Sequence, residues 1–295
     1  GLGHVGATVA YTLVSQGIAD ELVLIDTNEK KVVAEKLDFE DAMPRLPYHV
    51  EIKTQDYAEL KDVDVIITAF GDIDASVRTG NRFAEFEINT KNAVEVGKKI
   101  KESGFSGVII DISNPCDAVT SILQETTGLP RNQVLGTGTF LDTARMQHVV
   151  GDALGQDGRN VEGFVLGEHG NSQFVAWSTV RVNNKPITEF FTEEELEELG
   201  KKPAEGGFKV ANGKGYTSYA IATCGVKLAQ AVLSNAHFFG PVSTYVEEVG
   251  TYVGYPAIVG AKGVEKVVSL VLTDEEKAKL EQSANYIKEH LDSLK

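Results

Sequence analysis

The glycine spacing at the start of the chain constrains its fold more than any other feature. Gly1, Gly3 and Gly6 follow the pattern GxGxxG ahead of an apolar helical pattern, and Asp26 comes 20 residues after Gly6. Glycines at this spacing allow a tight turn and let a pyrophosphate approach the N-terminus of a helix. An acid at this distance binds the ribose hydroxyls of NAD and opposes the additional phosphate of NADP. The pattern therefore predicts NAD binding, although an ordinary strand–helix turn also produces GxGxxG.

Short apolar runs alternate with helical patterns through the first half of the chain. Residues 22–25, 63–70, 108–112 and a short run starting at Val134 are predicted strands, and Thr27 or Asn28 caps a helix to about Met43. Nearly continuous apolar strands separated by helices are typical of a parallel sheet that is covered on both faces. The sequence therefore predicts an α/β fold with a doubly wound parallel sheet of the Rossmann type.

A strand is expected ahead of Gly1, because the glycine turn of such a domain connects its first strand to its first helix. The sequence begins at this turn, without a methionine. We therefore expect that the first strand, and any targeting segment, lies outside the sequence.

The second half of the chain predicts a mixed α+β domain. Residues 164–166, 175–182 and 252–259 are predicted strands of a separate, mainly antiparallel region. Residues 205–239 are predicted to be helical, apart from a glycine-rich turn at 212–215. We place the boundary near Gly136, with a dinucleotide-binding domain over residues 1–136 and a substrate domain over residues 137–295.

The last helix has the clearest start, because Thr273 and Glu276 form a capping box. Acidic clusters at residues 193–198 and 274–276 are predicted as solvated helix starts. The predicted apolar stripe of the last helix consists of Leu280, Ala284, Ile287, Leu291 and Leu294.

Charge and composition argue against several kinds of partner. The net charge of −15 opposes nucleic acid and acidic lipid, and no apolar run approaches the roughly 18 residues of a membrane helix. Cys116 and Cys224 are too few for a disulfide framework or a metal cage of their own. We expect reduced, half-buried thiols, no metal site and a cytoplasmic protein.

A second group of residues predicts acid–base chemistry. His169 lies in the glycine-flanked turn 167–172, and Asp142 lies three residues before Arg145. A histidine held by a carboxylate moves a proton near neutral pH, and an arginine binds a carboxylate through two parallel hydrogen bonds. The group predicts a site that moves a proton on a small organic acid. The alternatives are a core histidine, a helix-capping aspartate and a surface arginine in an ion pair.

Five motifs resemble those of the L-lactate/malate dehydrogenase superfamily over essentially the whole chain. They are Gly1-Leu2-Gly3-His4-Val5-Gly6, Ile112-Ser113-Asn114-Pro115, residues 136–145, residues 167–172 and residues 212–218. Within the superfamily the chain most resembles the L-2-hydroxyisocaproate dehydrogenase branch, which Asn171 matches. The resemblance implies an NAD-dependent enzyme that interconverts 2-oxo acids and L-2-hydroxy acids, and a homotetramer or dimer.

The resemblance also implies a role for each matching residue of the acid–base group. His169 is the implied proton donor and acceptor, Asp142 its orienting carboxylate and Arg145 the clamp of the substrate carboxylate. Arg82, on the loop that starts at Gly71, is implied to polarise the substrate carbonyl when the loop closes as a lid. The charge of Asp142 favours a protonated His169 when NADH and oxo acid are bound.

The remaining implied site residues contact the cofactor or the substrate. Asn114 is implied to contact both nicotinamide and substrate oxygen, with a turn residue before proline as the alternative. Thr217 is implied in the pocket wall, with a helix-surface threonine as the alternative. The implied cofactor-binding residues are Gly1, Gly3, Gly6, Asp26, Gly71, Asn114 and Thr137.

The loop after Gly71 bears on the substrate. In the malate pattern a second arginine lies six residues before Arg82, where this chain has Ser76, and Arg78 lies only four before it. Asp72 and Asp74 would oppose a dicarboxylate, so we do not expect malate to be the substrate.

A roomier apolar pocket is the favoured expectation. The loop lacks the glutamines of ordinary lactate dehydrogenases, and Ile73, Ala75 and Val77 are suited to line such a pocket. The sequence predicts 2-oxo acids with medium, branched or aromatic side chains, and L-lactate dehydrogenase is the alternative. Gln147 and Glu162 replace the arginine and histidine of the family's fructose 1,6-bisphosphate site, so we expect no activation by this sugar.

Two rival classes are less favoured. A non-catalytic NAD-binding protein would be indicated by loss of His169, Asp142, Arg145 or Arg82, and all four are present. An NAD-dependent glycosidase requires a metal site, and the sequence contains no cluster of cysteine and histidine ligands to form one.

Overall fold

Helices and strands alternate along the chain in a computed structural model that describes residues 1–71 and 85–294. The helices are α1 (His4–Ser15), α2 (Glu29–Ala42), α3 (Phe86–Ser103), α4 (Cys116–Thr127), α5 (Phe140–Leu154), α6 (Glu193–Lys214), α7 (Tyr219–Leu233) and α8 (Asp274–Asp292). The strands are β1 (Glu21–Leu24), β2 (Glu51–Thr54), β3 (Val65–Thr68), β4 (Val108–Asp111), β5 (Val134–Gly136), β6 (Val161–Leu166), β7 (Phe174–Val182), β8 (Lys185–Pro186), β9 (Phe238–Val246), β10 (Thr251–Gly260) and β11 (Gly263–Val267).

The strands of the first half pair in parallel, which confirms the predicted α/β architecture. β1 pairs with β2, and β3, β4 and β5 form consecutive parallel pairs. Every residue of β4 is buried, because helices cover the sheet on both faces. Asn28 caps α2 by accepting a hydrogen bond from the Lys31 N–H at 3.2 Å, as predicted.

The strands of the second half divide between two sheets. β6, β7 and β8 form a separate antiparallel sheet. The prediction that residues 252–259 belong to the same separate region is wrong, because β10 continues the sheet of the first half in the order β11-β10-β9-β5-β4-β3. Gly136 of β5 pairs with Ser243 of β9, and this antiparallel pairing joins the strands of the two halves into one sheet.

The helix predicted over residues 205–239 consists of two helices and the start of a strand. α7 ends at Leu233 and β9 begins at Phe238, after a turn in which Asn235 and His237 have positive φ. The predicted glycine-rich turn at 212–215 is also wrong, because its first three residues belong to α6. Only Gly215 lies beyond the helix, where its φ of 84° ends α6 in the left-handed conformation.

The structure differs from the sequence analysis in three smaller points. β2 was not predicted, because residues 51–54 contain a single strongly apolar side chain. Both cysteines are free and buried rather than half-buried. Thr273 and Glu276 form the predicted capping box of α8, but Leu294 lies beyond the helix and is 40% exposed, so the apolar stripe stops before it.

A shared apolar core holds the glycine-rich turn against the second half of the chain. Val9 and Leu13 of α1 pack in one cluster with Ile221, Leu228 and other residues of α7, and with the apolar side chains of β4 and β10. The helix that follows the turn therefore contacts the helix that follows Thr217. Over residues 1–71 and 85–294, no helix combines the length and apolar character needed to cross a membrane.

Candidate active site

The turn that carries His169 follows β6 and is held by hydrogen bonds on both sides. Gly167 has a φ of 95°, a conformation that favours glycine, and pairs with Gly254 of β10. The Glu168 N–H donates to the Ser283 hydroxyl of α8 at 2.7 Å, and the Glu168 carboxylate accepts from the Ser172 N–H at 3.0 Å. These bonds fix the backbone on each side of His169.

The side chain of His169 lies against Asp142 in the first turn of α5. Their Nδ1 and Oδ2 atoms are 2.5 Å apart, and the Asp142 side chain is 1% exposed. Arg145, one turn along the same helix, donates from Nη1 to the other carboxylate oxygen at 2.9 Å. The structure therefore brings together all three residues that the sequence predicted as an acid–base group. With Nδ1 engaged by Asp142, Nε2 is the nitrogen left to exchange a proton with a ligand.

Asp117 is a site residue that sequence reasoning missed. Its Oδ2 accepts the His169 N–H at 2.8 Å, and its Oδ1 accepts the Ser243 hydroxyl at 2.6 Å. Burial raises the pKa of Asp117 even though these two hydrogen bonds act to lower it. Asp117 was assigned to no element from the sequence, and the structure places it in the first turn of α4, a common position for an acid.

The three glycines of the first turn have different surroundings. Cβ atoms at Gly1 and Gly6 would collide with the carbonyl oxygens of Ala69 and Gly1, so these glycines allow close packing inside the protein. A Cβ at Gly3 would meet no protein atom within 4 Å. Gly3 begins α1 without a side-chain cap, which leaves backbone N–H groups available to an anion. This open cradle fits a pyrophosphate.

Asp26 lies beside the same turn, as the sequence predicted. Its Oδ2 accepts the Leu2 N–H at 2.5 Å, and its Oδ1 accepts the Asn28 N–H at 2.8 Å. Burial acts to raise the pKa of Asp26, but these bonds and nearby positive charge, including that of Lys31, together lower the pKa below its ordinary value. The Gln55 side chain fixes the backbone of Asp26. Gln55 Oε1 accepts the Asp26 N–H at 3.1 Å, and Gln55 Nε2 donates to the Asp26 carbonyl at 2.7 Å. Nothing in the sequence pattern indicated Gln55.

The predicted residues at the carboxyl ends of β3, β4 and β5 lie on connected segments. Asn114 is exposed, and its carbonyl accepts a hydrogen bond from the buried Asn89 side chain at 2.5 Å. A Cβ at Gly71 would lie 3.5 Å from the same Asn89 amide. The Thr137 N–H donates to the Asp111 carbonyl at 2.9 Å, and the Thr137 side chain is buried with 2% exposed. An exposed amide among buried polar groups fits a nicotinamide and its substrate.

Thr217 lies between α6 and α7, next to an aromatic stack. Tyr216 stacks on His4 of the glycine-rich turn, with ring centroids 3.6 Å apart and planes 3° apart. The predicted pocket residue therefore sits next to the predicted cofactor turn.

Arg82 lies outside the described residues, as do the loop residues Ile73, Ala75 and Val77. Within the described ranges, no group of three or more His, Cys, Asp or Glu side chains is placed to hold a metal ion.

Comparison with known proteins assigns both halves of the chain. The NAD binding domain of lactate/malate dehydrogenase matches residues 1–136, and the alpha/beta C-terminal domain of lactate/malate dehydrogenase matches residues 139–295. L-lactate dehydrogenase 1 of Bifidobacterium longum is 37% identical over 100% of this chain and 96% of its own length. L-lactate dehydrogenase 2 of Bacillus cereus is 34% identical over 98% of this chain and 95% of its own.

Solved structures agree with this assignment. The minor L-lactate dehydrogenase from Enterococcus mundtii, in its ligands-bound form, superposes with a TM-score of 0.94 at 34% identity, covering 100% of this chain and 96% of that one. Malate dehydrogenase from Salinibacter ruber superposes with a TM-score of 0.90 at 27% identity, covering 100% of this chain and 95% of that one. Since the family models and the full-length relatives agree, the chain belongs to the lactate/malate dehydrogenase family, and it is an NAD-dependent 2-hydroxy acid dehydrogenase of that family.

Proposed function

We propose that the chain interconverts 2-oxo acids and L-2-hydroxy acids, with His169 as proton donor and acceptor. The arrangement of His169, Asp142 and Arg145 is the observation that carries this proposal, because one buried carboxylate engages both the histidine and the arginine. Asp142 selects the His169 tautomer and stabilises the imidazolium, while Arg145 keeps further N–H donors for a second carboxylate.

Each residue of this group has a distinct task in the reduction of a 2-oxo acid. NADH, when bound, would supply the hydride for the carbonyl carbon. His169 donates the proton of Nε2 to the carbonyl oxygen, and Asp142 stabilises the imidazolium until that transfer. Arg145 binds the substrate carboxylate and orients the carbonyl. The role of Arg82 in polarising the carbonyl stays a prediction.

Pyruvate and L-lactate are the substrate pair that the relatives support best. The similar proteins from Bifidobacterium longum and Bacillus cereus are named L-lactate dehydrogenases over their full length. The fold does not separate lactate from malate, since structures with both names superpose on the chain. The exclusion of a dicarboxylate, based on Ser76 and Asp72, stays a prediction from the sequence. The likeness to the hydroxyisocaproate branch stays a prediction.

A second candidate substrate class has a larger side chain, and a cavity beside the catalytic turn favours it. The cavity has a volume of about 130 Å³, and Gly170, next to His169, contributes to its wall. Apolar residues of the lining include Val165, Phe174, Pro203 and Phe208, and Asn171 and Gln173 add polar groups. On the same helix, a Cβ at Gly206 would lie 4.0 Å from Arg145 Cδ, and a Cβ at Gly207 would lie 3.2 Å from Arg145 Nη2, so these glycines let the helix pack closely against the clamp. A branched or aromatic side chain suits such a cavity.

A substrate panel tests the proposed function and separates the two candidates. We would compare kcat/KM for NADH oxidation with pyruvate, 4-methyl-2-oxopentanoate, phenylpyruvate and oxaloacetate. Under the first candidate pyruvate is preferred, and under the second the two larger acids are preferred by roughly 10- to 200-fold. No turnover of any of the four acids would contradict the proposed function.

Filling the cavity sharpens the comparison. Ala204→Leu should lower kcat/KM for the two larger acids and spare pyruvate, if their side chains enter the cavity. Val210→Leu is the matched control, because Val210 is on the same helix but 47% exposed. Equal effects of Ala204→Leu on all four acids would contradict the second candidate.

Fructose 1,6-bisphosphate is expected to leave the rate unchanged at low, fixed substrate. Gln147 stands at the position of the family's arginine, and its side-chain amide donates to the Val161 carbonyl at 2.8 Å. Glu162 is exposed and would repel a phosphate. Steady-state rates with and without millimolar sugar bisphosphate check this, and a clear increase in rate would contradict it.

We also propose the domain boundary between residues 136 and 137, which the two family matches support. The homo-oligomeric state and the cytoplasmic location stay predictions.

A further inference from the structure

Asp111, at the carboxyl end of β4, is a buried acid outside the His169 group. Its side chain is 0% exposed, and it lies opposite Thr68 in the parallel register of β3 and β4. The sequence pattern included Asp111 in an apolar strand, where a carboxylate is unexpected. A buried acid at this position therefore requires a structural or functional reason.

Hydrogen bonds connect Asp111 to the ends of three strands. Its Oδ1 accepts the Thr68 hydroxyl at 2.7 Å and the Ser113 N–H at 3.2 Å. The Ser113 hydroxyl in turn accepts the Phe70 N–H at 3.1 Å. The Asp111 carbonyl accepts the Thr137 N–H at 2.9 Å. One residue thus fixes the chain as it leaves β3, β4 and β5.

The same three segments carry predicted cofactor contacts. Gly71 follows Phe70, Asn114 follows Ser113, and Thr137 bonds Asp111 directly. In open α/β sheets, ligands bind beyond the carboxyl ends of the strands, which is where Asp111 lies. The position of Asp111 therefore links the geometry of these three contacts.

The surroundings of Asp111 favour its neutral form. Its Oδ2 has no hydrogen-bond partner, and no ion pair reaches it, among the described residues. Burial raises the pKa of Asp111 to about 7, although the bonds from Thr68 and Ser113 act to lower it. Thr68 and Thr137 face it from β3 and from the end of β5 without charge. On α4, the negative charge of Asp117 raises the pKa of Asp111 further. Burial raises the pKa of the neighbouring Cys116 thiol, so that this thiol stays neutral.

We infer that Asp111 is a positioning residue for the nicotinamide end of the NAD site and that it performs this role as a neutral acid. This rests on the proposed placement of Asn114 beside the nicotinamide. Ionisation would bury a negative charge on an oxygen without a partner, and the strand ends would have to move or admit water to stabilise it. NADH binding should therefore weaken as Asp111 loses its proton.

Binding of NADH alone tests this inference, because it requires no turnover. The dissociation constant would be measured by NADH fluorescence from about pH 5.5 to about pH 9 in the wild type, Asp111→Asn and Asp111→Val. The wild-type affinity should be constant below about pH 7 and then fall, by up to about tenfold per pH unit. Asp111→Asn keeps a neutral acceptor, so its affinity should not fall. Asp111→Val removes the acceptor and cannot ionise, so it should bind NADH on the order of tenfold more weakly than Asp111→Asn, by the same factor at every pH.

A matched control and a stability measurement keep the test decisive. Glu276→Gln removes another buried carboxylate, which bonds Ser178 on β7, and it should leave the wild-type pH profile unchanged. Because folding raises the pKa of Asp111, the free energy of unfolding of the wild type decreases as pH rises towards about 7. Near neutral pH, Asp111→Asn should therefore unfold at a higher temperature than the wild type. A wild-type affinity that is independent of pH, or the same fall in Asp111→Asn, would overturn the inference. Loss of all 2-oxo acid turnover would overturn the proposed function and leave this binding result standing.

Discussion

Replacement of His169 by Asn should lower kcat by roughly 10²- to 10⁴-fold and leave NADH binding nearly unchanged. Asparagine keeps a polar side chain near Asp142 but has no ring nitrogen that exchanges a proton near neutral pH. The glycine-rich turn and Asp26 are separate from this side chain, so the cofactor should still bind. Steady-state turnover and NADH fluorescence titration, made on the same protein sample, check both parts of the prediction.

His148→Asn is the matched control for this substitution. His148 is on the same helix as Asp142, but its side chain is 75% exposed and contacts Asp152 at 3.5 Å. The control should turn over substrate like the wild type. If His169→Asn retained wild-type turnover, the proton would have to come from another group, and the assigned role of His169 would be wrong.

Arg145→Lys should raise KM for the 2-oxo acid on the order of 100-fold, with little change in NADH binding. Lysine keeps the positive charge beside Asp142, but it lacks the planar guanidinium that binds a carboxylate through two parallel hydrogen bonds. The substitution therefore separates the geometry of the clamp from its charge. Steady-state kinetics at saturating NADH measure the effect.

Arg131→Lys is the control for Arg145→Lys. Arg131 lies at the surface, 51% exposed, where it pairs with Glu247 at 3.1 Å. Its replacement should leave KM within about threefold of the wild-type value, as expected for an exposed ion pair. A KM for Arg145→Lys that matched this control would show that another group binds the substrate carboxylate.

Much of the first half of the fold was predictable because its signals are local, although β2 was missed. Asn28 caps α2, and a run of consecutive buried residues forms β4. Each of these signals comes from residues that are neighbours in the sequence. The predicted helix over residues 205–239 failed where local signals were absent. No glycine or proline separates α7 from β9, and the chain turns at Asn235 and His237 through positive φ angles instead. Tertiary packing of an apolar strand beside β5 decided the outcome.

The candidate site was predictable where its residues lie in motifs. His169, Asp142 and Arg145 come from two short segments, and the structure joins them. Asp117 and Gln55 were missed because their partners lie 52 and 29 residues away in the chain. Asp111 was missed for a different reason, since an acid inside an apolar run is visible but its partners are not. Such contacts depend on the register of the sheet, which a single sequence does not contain.

The most direct test of the central claim is to measure NADH consumption together with the chiral product formed from pyruvate and from 4-methyl-2-oxopentanoate. We predict that wild-type protein consumes one NADH for each 2-oxo acid reduced and that the product is the L-2-hydroxy acid. The contradictory result would be a protein that binds NADH, as shown by fluorescence, but oxidises it with neither acid.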